Sequence, residues 1–287
     1  MIPKYFNLYN ISDDFDVKNF FLNKKIVIYS IDIETDYNGS QTESLKYIDK
    51  VLNIFNELKI PLSIFLEGSL IQNERSFLNN FKNNSLLDLN LHCYDHQTNG
   101  DTKDSLNKSL DLFTEKFGYK PSGYRANSYH LNKKLLDSLI NEDFKWDSSI
   151  LPAFSIGGNI SKTFMKGDYF KINNLYEFPL AHYKGIRFAY NHSNQMILKK
   201  IGRIFDKIFK IPELFIYDMH MYDLFKVNSL TKSPLPKIIK LAYNYAWAGY
   251  NNNSTEILKH NFSFMKENNY EFMSLNQLYN KIINNEI

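Results

Sequence analysis

Asp32, Glu34 and Asp36 follow the apolar run Ile26-Val27-Ile28-Tyr29 at two-residue spacing. That run reads as a buried strand. Side chains alternate along a strand, so the three carboxylates share one face if the strand continues that far. Like charges on one face repel, and a metal ion is the usual remedy. The alternative is a solvated strand end or the cap of the next helix. A second strand-like run, Leu86 to Leu91, ends in His92-Cys93-Tyr94-Asp95-His96. Two histidines four apart can converge on one metal, from a helical face or from a tight loop after a strand. Loops after strands hold the active site in α/β folds. One carboxylate with two histidines leaves open positions for water and substrate. Such a set suits zinc, and also iron, cobalt or nickel.

The elements that must position these residues follow from the rest of the chain. Its 287 residues suit one large domain over 1–287, and α/β barrels reach this size. A net charge of +3 makes no case for nucleic-acid binding. Cys93 is the single cysteine, so no internal disulfide can form, and a small buried filler is its expected role. The start, Met1-Ile2-Pro3-Lys4-Tyr5-Phe6, lacks a long apolar core, and Asp13, Asp14 and Asp16 follow. No apolar run approaches a membrane span. A cytoplasmic protein is expected.

Ser40-x-x-Glu43 has the form of a capping box, and Leu45, Ile48, Leu52, Phe55 and Leu58 follow helical spacing. Leu62 to Leu66 reads as a strand after Pro61, with a helix near Asn73 to Phe81. Asp101 to Phe117 is helical, with Gly118 past its end. A short segment at Tyr124-Arg125 precedes a helix from Asn132 to Asn141, and Phe144 to Ile150 is strand-like. Gly157-Gly158-Asn159 marks a turn within Leu151 to Gly167. Tyr176 to Leu180 and Glu213 to Met219 read as strands. Asn253-x-x-Glu256 and Ser274-x-x-Gln277 open two further helices. Alternating strands and helices argue for a parallel sheet or barrel with helices outside.

Ser193 to Ile211 has Met196, Ile197, Ile201, Ile204, Phe205, Ile208 and Phe209 on one side and Lys199, Lys200, Arg203, Lys207 and Lys210 on the other. Such a helix either lies on an anionic membrane surface or packs outside a barrel with its charges solvated. Lys232, Lys237 and Lys240, near Trp247, extend that basic character.

Taken in order over about Lys25 to Leu224, these motifs resemble the NodB-homology polysaccharide deacetylases. Ser30-Ile31-Asp32-Ile33-Glu34-Thr35 stands where that family has Thr-Phe-Asp-Asp-Gly. The resemblance implies a distorted (β/α) barrel, with Asp32 as catalytic base and Glu34 as metal carboxylate. Glu34 lacks the family's adjacent-Asp geometry, so Asp36 stays open as the ligand. His92 and His96 match His-Ser/Thr-x-x-His and are implied metal ligands. Pro61 to Leu66 is similar to the family's Ala-Thr-Phe-Phe strand. Arg125-Ala126-Asn127 matches Arg-x-Pro-Tyr without its Pro and with Tyr129 displaced; Arg125 would orient the base. Phe144 to Ser149 resembles Tyr-Asp-Ser-Ser, with Asp147 paired to Arg125. Ile216 to His220 fits the last motif, with His220 as general acid. Asn269 to Leu275 resembles the family's final strand and helix. Ile31 to Thr35 and His92 to His96 are also similar to motifs of the aminoarabinose-lipid deformylases.

The implied reaction is metal-dependent hydrolysis of an N-acyl group, acetyl or formyl, on an amino sugar, zinc being the first candidate for the metal. Asp32, held by Arg125, takes a water's proton, and His220 protonates the departing amine. Asp218, Asp95 or Asp147 would tune acid and base. A sugar nucleotide or lipid-linked sugar in surface-polysaccharide assembly is the expected substrate. Two rivals remain: a catalytically altered sugar-binding relative, which would bind sugar without turnover, and a metal-dependent O-deacetylase, which would yield no amine.

Overall fold

The computed structural model describes residues 15–73, 76–81, 84–96, 102–152, 167–184, 186 and 188–287. The turn expected at Gly157-Gly158-Asn159 lies outside them. The strands are β1 (Val17–Phe20), β2 (Ile26–Ile33), β3 (Leu62–Leu66), β4 (Leu87–Leu91), β5 (Gly123–Tyr124), β6 (Trp146–Asp147), β7 (Tyr169–Ile172), β8 (Leu175–Glu177), β9 (His182–Tyr183), β10 (Phe188–Ala189), β11 (Leu214–His220) and β12 (Glu271–Phe272). The helices are α1 (Ile48–Leu58), α2 (Gly68–Asn73), α3 (Lys103–Phe117), α4 (Lys133–Asn141), α5 (His192–Leu198), α6 (Lys200–Ile208), α7 (Met221–Leu224), α8 (Ser229–Lys232), α9 (Lys237–Trp247), α10 (Thr255–Glu267) and α11 (Leu275–Ile283).

β2 is buried along its whole length, as its unbroken apolar start requires of a strand covered on both faces. β11, β2, β3, β4, β5, β6 and β8 lie side by side and parallel. Just past β8 the chain meets β11 again, where Ala181 N donates to Ile216 O at 3.0 Å. The sheet thereby curls back on itself as a distorted barrel. β12 pairs with the first residues of β2. β1 and β7 depart from the parallel pattern and pair antiparallel at the sheet's far edge.

Alternation divides the core. Ile26, Ile28, Leu214 and Ile216 join Phe65, Trp146, Phe178 and Leu275 in one cluster, the barrel interior. Val27, Tyr29, Ile31 and Ile33 belong to the outer cluster with Phe55, Leu110, Phe113 and Phe262. Continued by twos, the inward rows of β2 and β11 bring Ser30, Asp32, Asp218 and His220 to the C-terminal mouth. The interior is apolar at its base and ionisable at its rim.

Several local expectations change. No capping box forms at Ser40: residues Glu43–Tyr47 make a 3-10 turn that leads into α1, and Glu43 instead accepts from the backbone N–H of Asn228 and Ser229. The expected Asn73–Phe81 helix is replaced by α2 and a 3-10 turn at Phe77–Phe81. Ser274 and Gln277 do form the reciprocal cap of α11. The amphipathic segment 193–211 is two helices, broken at Lys199 (φ 52°, ψ −128°). Among the described residues no helix is long and apolar enough to cross a membrane.

His192, at the start of α5, is buried between Tyr217 OH (3.0 Å from Nδ1) and Ser254 Oγ (2.8 Å from Nε2). Burial pushes its pKa down to about 4, outweighing the pull of Asp223. The unfolded chain takes up this proton near its ordinary pKa of about 6.5, so stability is lost as pH falls from there toward 4. Thermal midpoints measured over that window should drop in the wild type and flatten in His192→Gln.

Candidate active site

The rim gathers Asp32, Glu34, His92, His96, Arg125 and His220 from the ends of β2, β4, β5 and β11. Glu34 is buried one residue beyond β2. Its Oε2 lies 3.0 Å from His92 Nε2 and 2.9 Å from His96 Nε2. Its Oε1 accepts from Tyr222 OH at 2.8 Å. Burial alone would raise the Glu34 pKa, but His96, His220 and the bonds from His92 and His96 hold it well below the carboxylate range.

The other imidazole nitrogens are occupied. His92 Nδ1 faces Arg125 O at 2.6 Å, and a carbonyl can only accept, so Nδ1 carries the proton. His96 Nδ1 faces the buried Glu67 carboxylate at 3.2 Å. Both Nε2 atoms are thus left to point at Glu34. Burial disfavours the charged imidazoles, yet Cys93 and Glu34 raise both well above the ordinary value. Without a metal, protons must balance this carboxylate; a divalent cation held by these carboxylate and imidazole groups would replace them. Asp32 Oδ, Glu34 Oε and His92 N also lie within 4.8 Å of one another. The donor set fits the ion.

Asp36 does not join them. The strand ends at Ile33, and Tyr37 (φ 53°) and Asn38 (φ 57°) turn the chain away. The Asp36 carboxylate accepts from Ser44 N at 3.2 Å. The expectation of three carboxylates on one face therefore holds for two. Cys93 is buried, as a filler should be; its Sγ meets His96 Nδ1 at 3.6 Å, the nitrogen on the Glu67 side.

Arg125 is fully buried, its guanidinium carbon 3.9 Å from the centre of the Phe65 ring. Nη1 donates to Asp32 Oδ1 at 2.8 Å and to Asp218 Oδ1 at 2.5 Å, and Nε donates to Ser148 O at 3.0 Å. The expected Arg125–Asp147 pair is not formed. Asp147 accepts from Ser149 Oγ at 2.8 Å and shares a buried acidic pair with Glu177. Asp218 takes its place because it sits on the inward row of β11, beside Asp32. Tyr129 OH donates to Asp218 Oδ2 at 2.5 Å. Ser128 and Tyr129 reach that position through left-handed backbone. Burial first, then the charge of Asp32, raises Asp218 to about 6 against the pull of Arg125.

His220 Nδ1 donates to Asp223 Oδ2 at 2.8 Å. Its Nε2 stands 3.9 Å from both Asp32 Oδ2 and Glu34 Oε1. The ring stacks on Tyr222 with centroids 4.9 Å apart. Burial would lower its pKa, but Asp223 and Glu34 push it up to about 10. An imidazolium is thereby aimed at a small cavity of about 110 Å³, which Tyr129, Asn191 and Tyr243 also line.

The sequence reading missed Glu67, Tyr222 and Asp223. Glu67 follows β3 directly, at the same rim, and accepts from Thr35 N at 3.0 Å and from Ser69 Oγ. Asp223 lies three residues after His220, within reach of one helical turn. Position after a strand was the usable signal for Glu67; nothing marked Tyr222 among many tyrosines.

No protein-family model matches the chain, and no curated protein matches it. Solved structures do match. One is a protein described as a polysaccharide deacetylase from Mycobacterium smegmatis, with a TM-score of 0.53 and 12% identity over 95% of this chain and 96% of that one. Another is described as a polysaccharide deacetylase involved in O-antigen biosynthesis from Bordetella bronchiseptica, with a TM-score of 0.50 and 12% identity over 85% and 90% of the two chains. At this identity the likeness establishes the fold: the chain has the α/β fold of the polysaccharide deacetylases, a parallel sheet flanked by helices.

Proposed function

We propose that this chain, folded as polysaccharide deacetylases are, is a metal-dependent hydrolase that removes an N-acyl group from an amino sugar. The observation that carries the reading is the meeting of Glu34 Oε2 with His92 Nε2 and His96 Nε2, at 3.0 and 2.9 Å, beside the Arg125-bound Asp32. Those three residues would hold the ion. When bound, a divalent cation supplies a Lewis acid that lowers the pKa of water from about 16 toward about 7 and polarises a carbonyl. Zinc heads the metals that suit two imidazoles and a carboxylate.

Asp32 acts as the base that takes the proton of the attacking water. Arg125 fixes its orientation through the 2.8 Å bond from Nη1 to Asp32 Oδ1. A C–O bond forms at the acyl carbon and the C–N bond breaks. His220, oriented by Asp223, donates the proton that the departing nitrogen needs, because an amine cannot leave as its anion. Asp147 and Glu177 support the Arg125 neighbourhood at a distance. The small cavity suits an acetyl or formyl group, with the sugar at the mouth. The O-antigen biosynthesis named for one structural neighbour supports an amino sugar of surface-polysaccharide assembly as substrate, and a nucleotide- or lipid-linked form is the finer part of this proposal.

Purified protein should carry about one metal ion per chain by elemental analysis. His92→Ala/His96→Ala should carry none, and Asp32→Asn should keep it. Release of acetate or formate is then assayed on N-acyl and O-acyl sugars side by side. A wild type that refuses added zinc, cobalt and nickel would sink this reading in favour of a sugar-binding protein. Acid released only from esters would convert it to an O-deacetylase.

A further inference from the structure

α6 and α9 present the same pattern. Ile201, Ile204 and Ile208 on α6, and Ile238, Leu241 and Tyr245 on α9, recur at i, i+3 and i+7, so each set forms one stripe. All six are more than half exposed. On α6 the inward side is taken by Gly202 and Phe205, and on α9 by Ala246 and Trp247. An outer barrel helix with a solvated face does not describe this, because its apolar stripe would be buried.

The stripes adjoin. Ile201 and Tyr245 line one cavity of about 490 Å³, and Lys199 Nζ lies 3.8 Å from the centre of the Tyr245 ring. Leu235, Ile239 and Tyr243, before and along α9, line the catalytic cavity. The exposed apolar face therefore sits beside the mouth of the site.

Charge indicates what covers it. α6 and α9 carry Lys200, Arg203, Lys207, Lys237 and Lys240 against one carboxylate, Asp206, which accepts from Tyr183 OH at 2.7 Å. These two helices hold more than the chain's whole net charge of +3. Lysines beside the isoleucine stripe match anionic headgroups above an acyl boundary. A second copy meeting this face about a two-fold axis would bring the same cations together.

We propose that the α6–α9 face docks on an anionic lipid bilayer, with its apolar stripes entering the headgroup boundary and the mouth of the site held at the surface. The inference goes beyond the hydrolytic reading and does not depend on turnover. Its test is flotation of the full chain with phosphatidylcholine vesicles, with and without phosphatidylglycerol. The chain should float with the anionic vesicles only, and salt should release it. Ile204→Asp/Leu241→Asp should lower binding more than about tenfold. Lys200→Glu/Arg203→Glu should lower it comparably. Both variants should keep the wild-type melting temperature and hydrolysis of a water-soluble N-acyl sugar. Wild type that stays in bulk solution, or binding unchanged in both variants, overturns the proposal. So does a concentration-dependent dimer that Ile204→Asp/Leu241→Asp abolishes while vesicles bind nothing. Inactivity on every acyl sugar with vesicle binding intact would refute the hydrolase and leave this inference standing.

Discussion

Arg125→Met is expected to destabilise the protein by about 3–5 kcal/mol and to abolish turnover. Arg125 is the sole cation bonded to both Asp32 and Asp218 among the described residues, and all three groups are buried. Removing it leaves two carboxylates facing each other without water. A total stability of about 5–15 kcal/mol makes such a loss a large fraction of the whole. The pH dependence follows from Asp218, already raised to about 6 by burial and by Asp32. A carboxyl raised in the fold contributes stability below its unfolded pKa and loses it as pH rises through the folded value. Without Arg125 that carboxyl rises further, so the deficit should be largest at alkaline pH and shrink on acidification. Urea unfolding of wild type and variant across this range measures it. Arg125→Met/Asp218→Asn should recover much of the stability while staying inactive. If the single variant unfolds like wild type, the buried charges are not the structural centre of the rim.

Asp32→Asn is expected to lower kcat on an N-acyl sugar by about 10²–10⁴-fold, with metal content unchanged. Asparagine keeps the shape and can still accept from Arg125 Nη1, but it takes no proton. Stability moves the opposite way from Arg125→Met. With Asp32 neutral, one of the two causes raising Asp218 disappears, so the variant should lose less stability than wild type as pH rises through about 6. Steady-state kinetics and chemical denaturation on one preparation separate the two effects. An Asp32→Asn enzyme with wild-type kcat would exclude Asp32 as the base.

The barrel and the order of its rim residues were legible because both rest on local signals. β3 appears where Leu62 to Leu66 is apolar after Pro61, and β2 where Ile26 begins an unbroken run. His92 and His96 stood out by spacing. The partner of Arg125 was not legible. Asp147 ends β6 and Asp218 lies two residues before the end of β11, and only the inward phase of β11 beside β2 places Asp218 against Asp32. The choice between Glu34 and Asp36 depended on where the strand stops; it ends at Ile33 with no glycine or proline directly after to announce it, and left-handed Tyr37 and Asn38 then turn the chain away. The same silence hid the break at Lys199, an ordinary helix former held at φ 52°.

That break acts as a phase shifter. Carried on without interruption, the buried side of α5, with His192, Gln195 and Met196, would continue through Lys199 to Arg203. The cations of the next helix would then be driven against the barrel. Resetting the backbone at one residue rotates the following turns, so Gly202 and Phe205 face inward and the isoleucines face out. Deleting Lys199 should turn α6 by about 100° about its own axis, which trades the aliphatic stripe for its charged neighbour. Lys199→Gly, which keeps the register and suits the left-handed φ, should be tolerated. The orientation of a surface helix is thus encoded in a single torsional misfit, a unit of length that substitution can spare and deletion cannot.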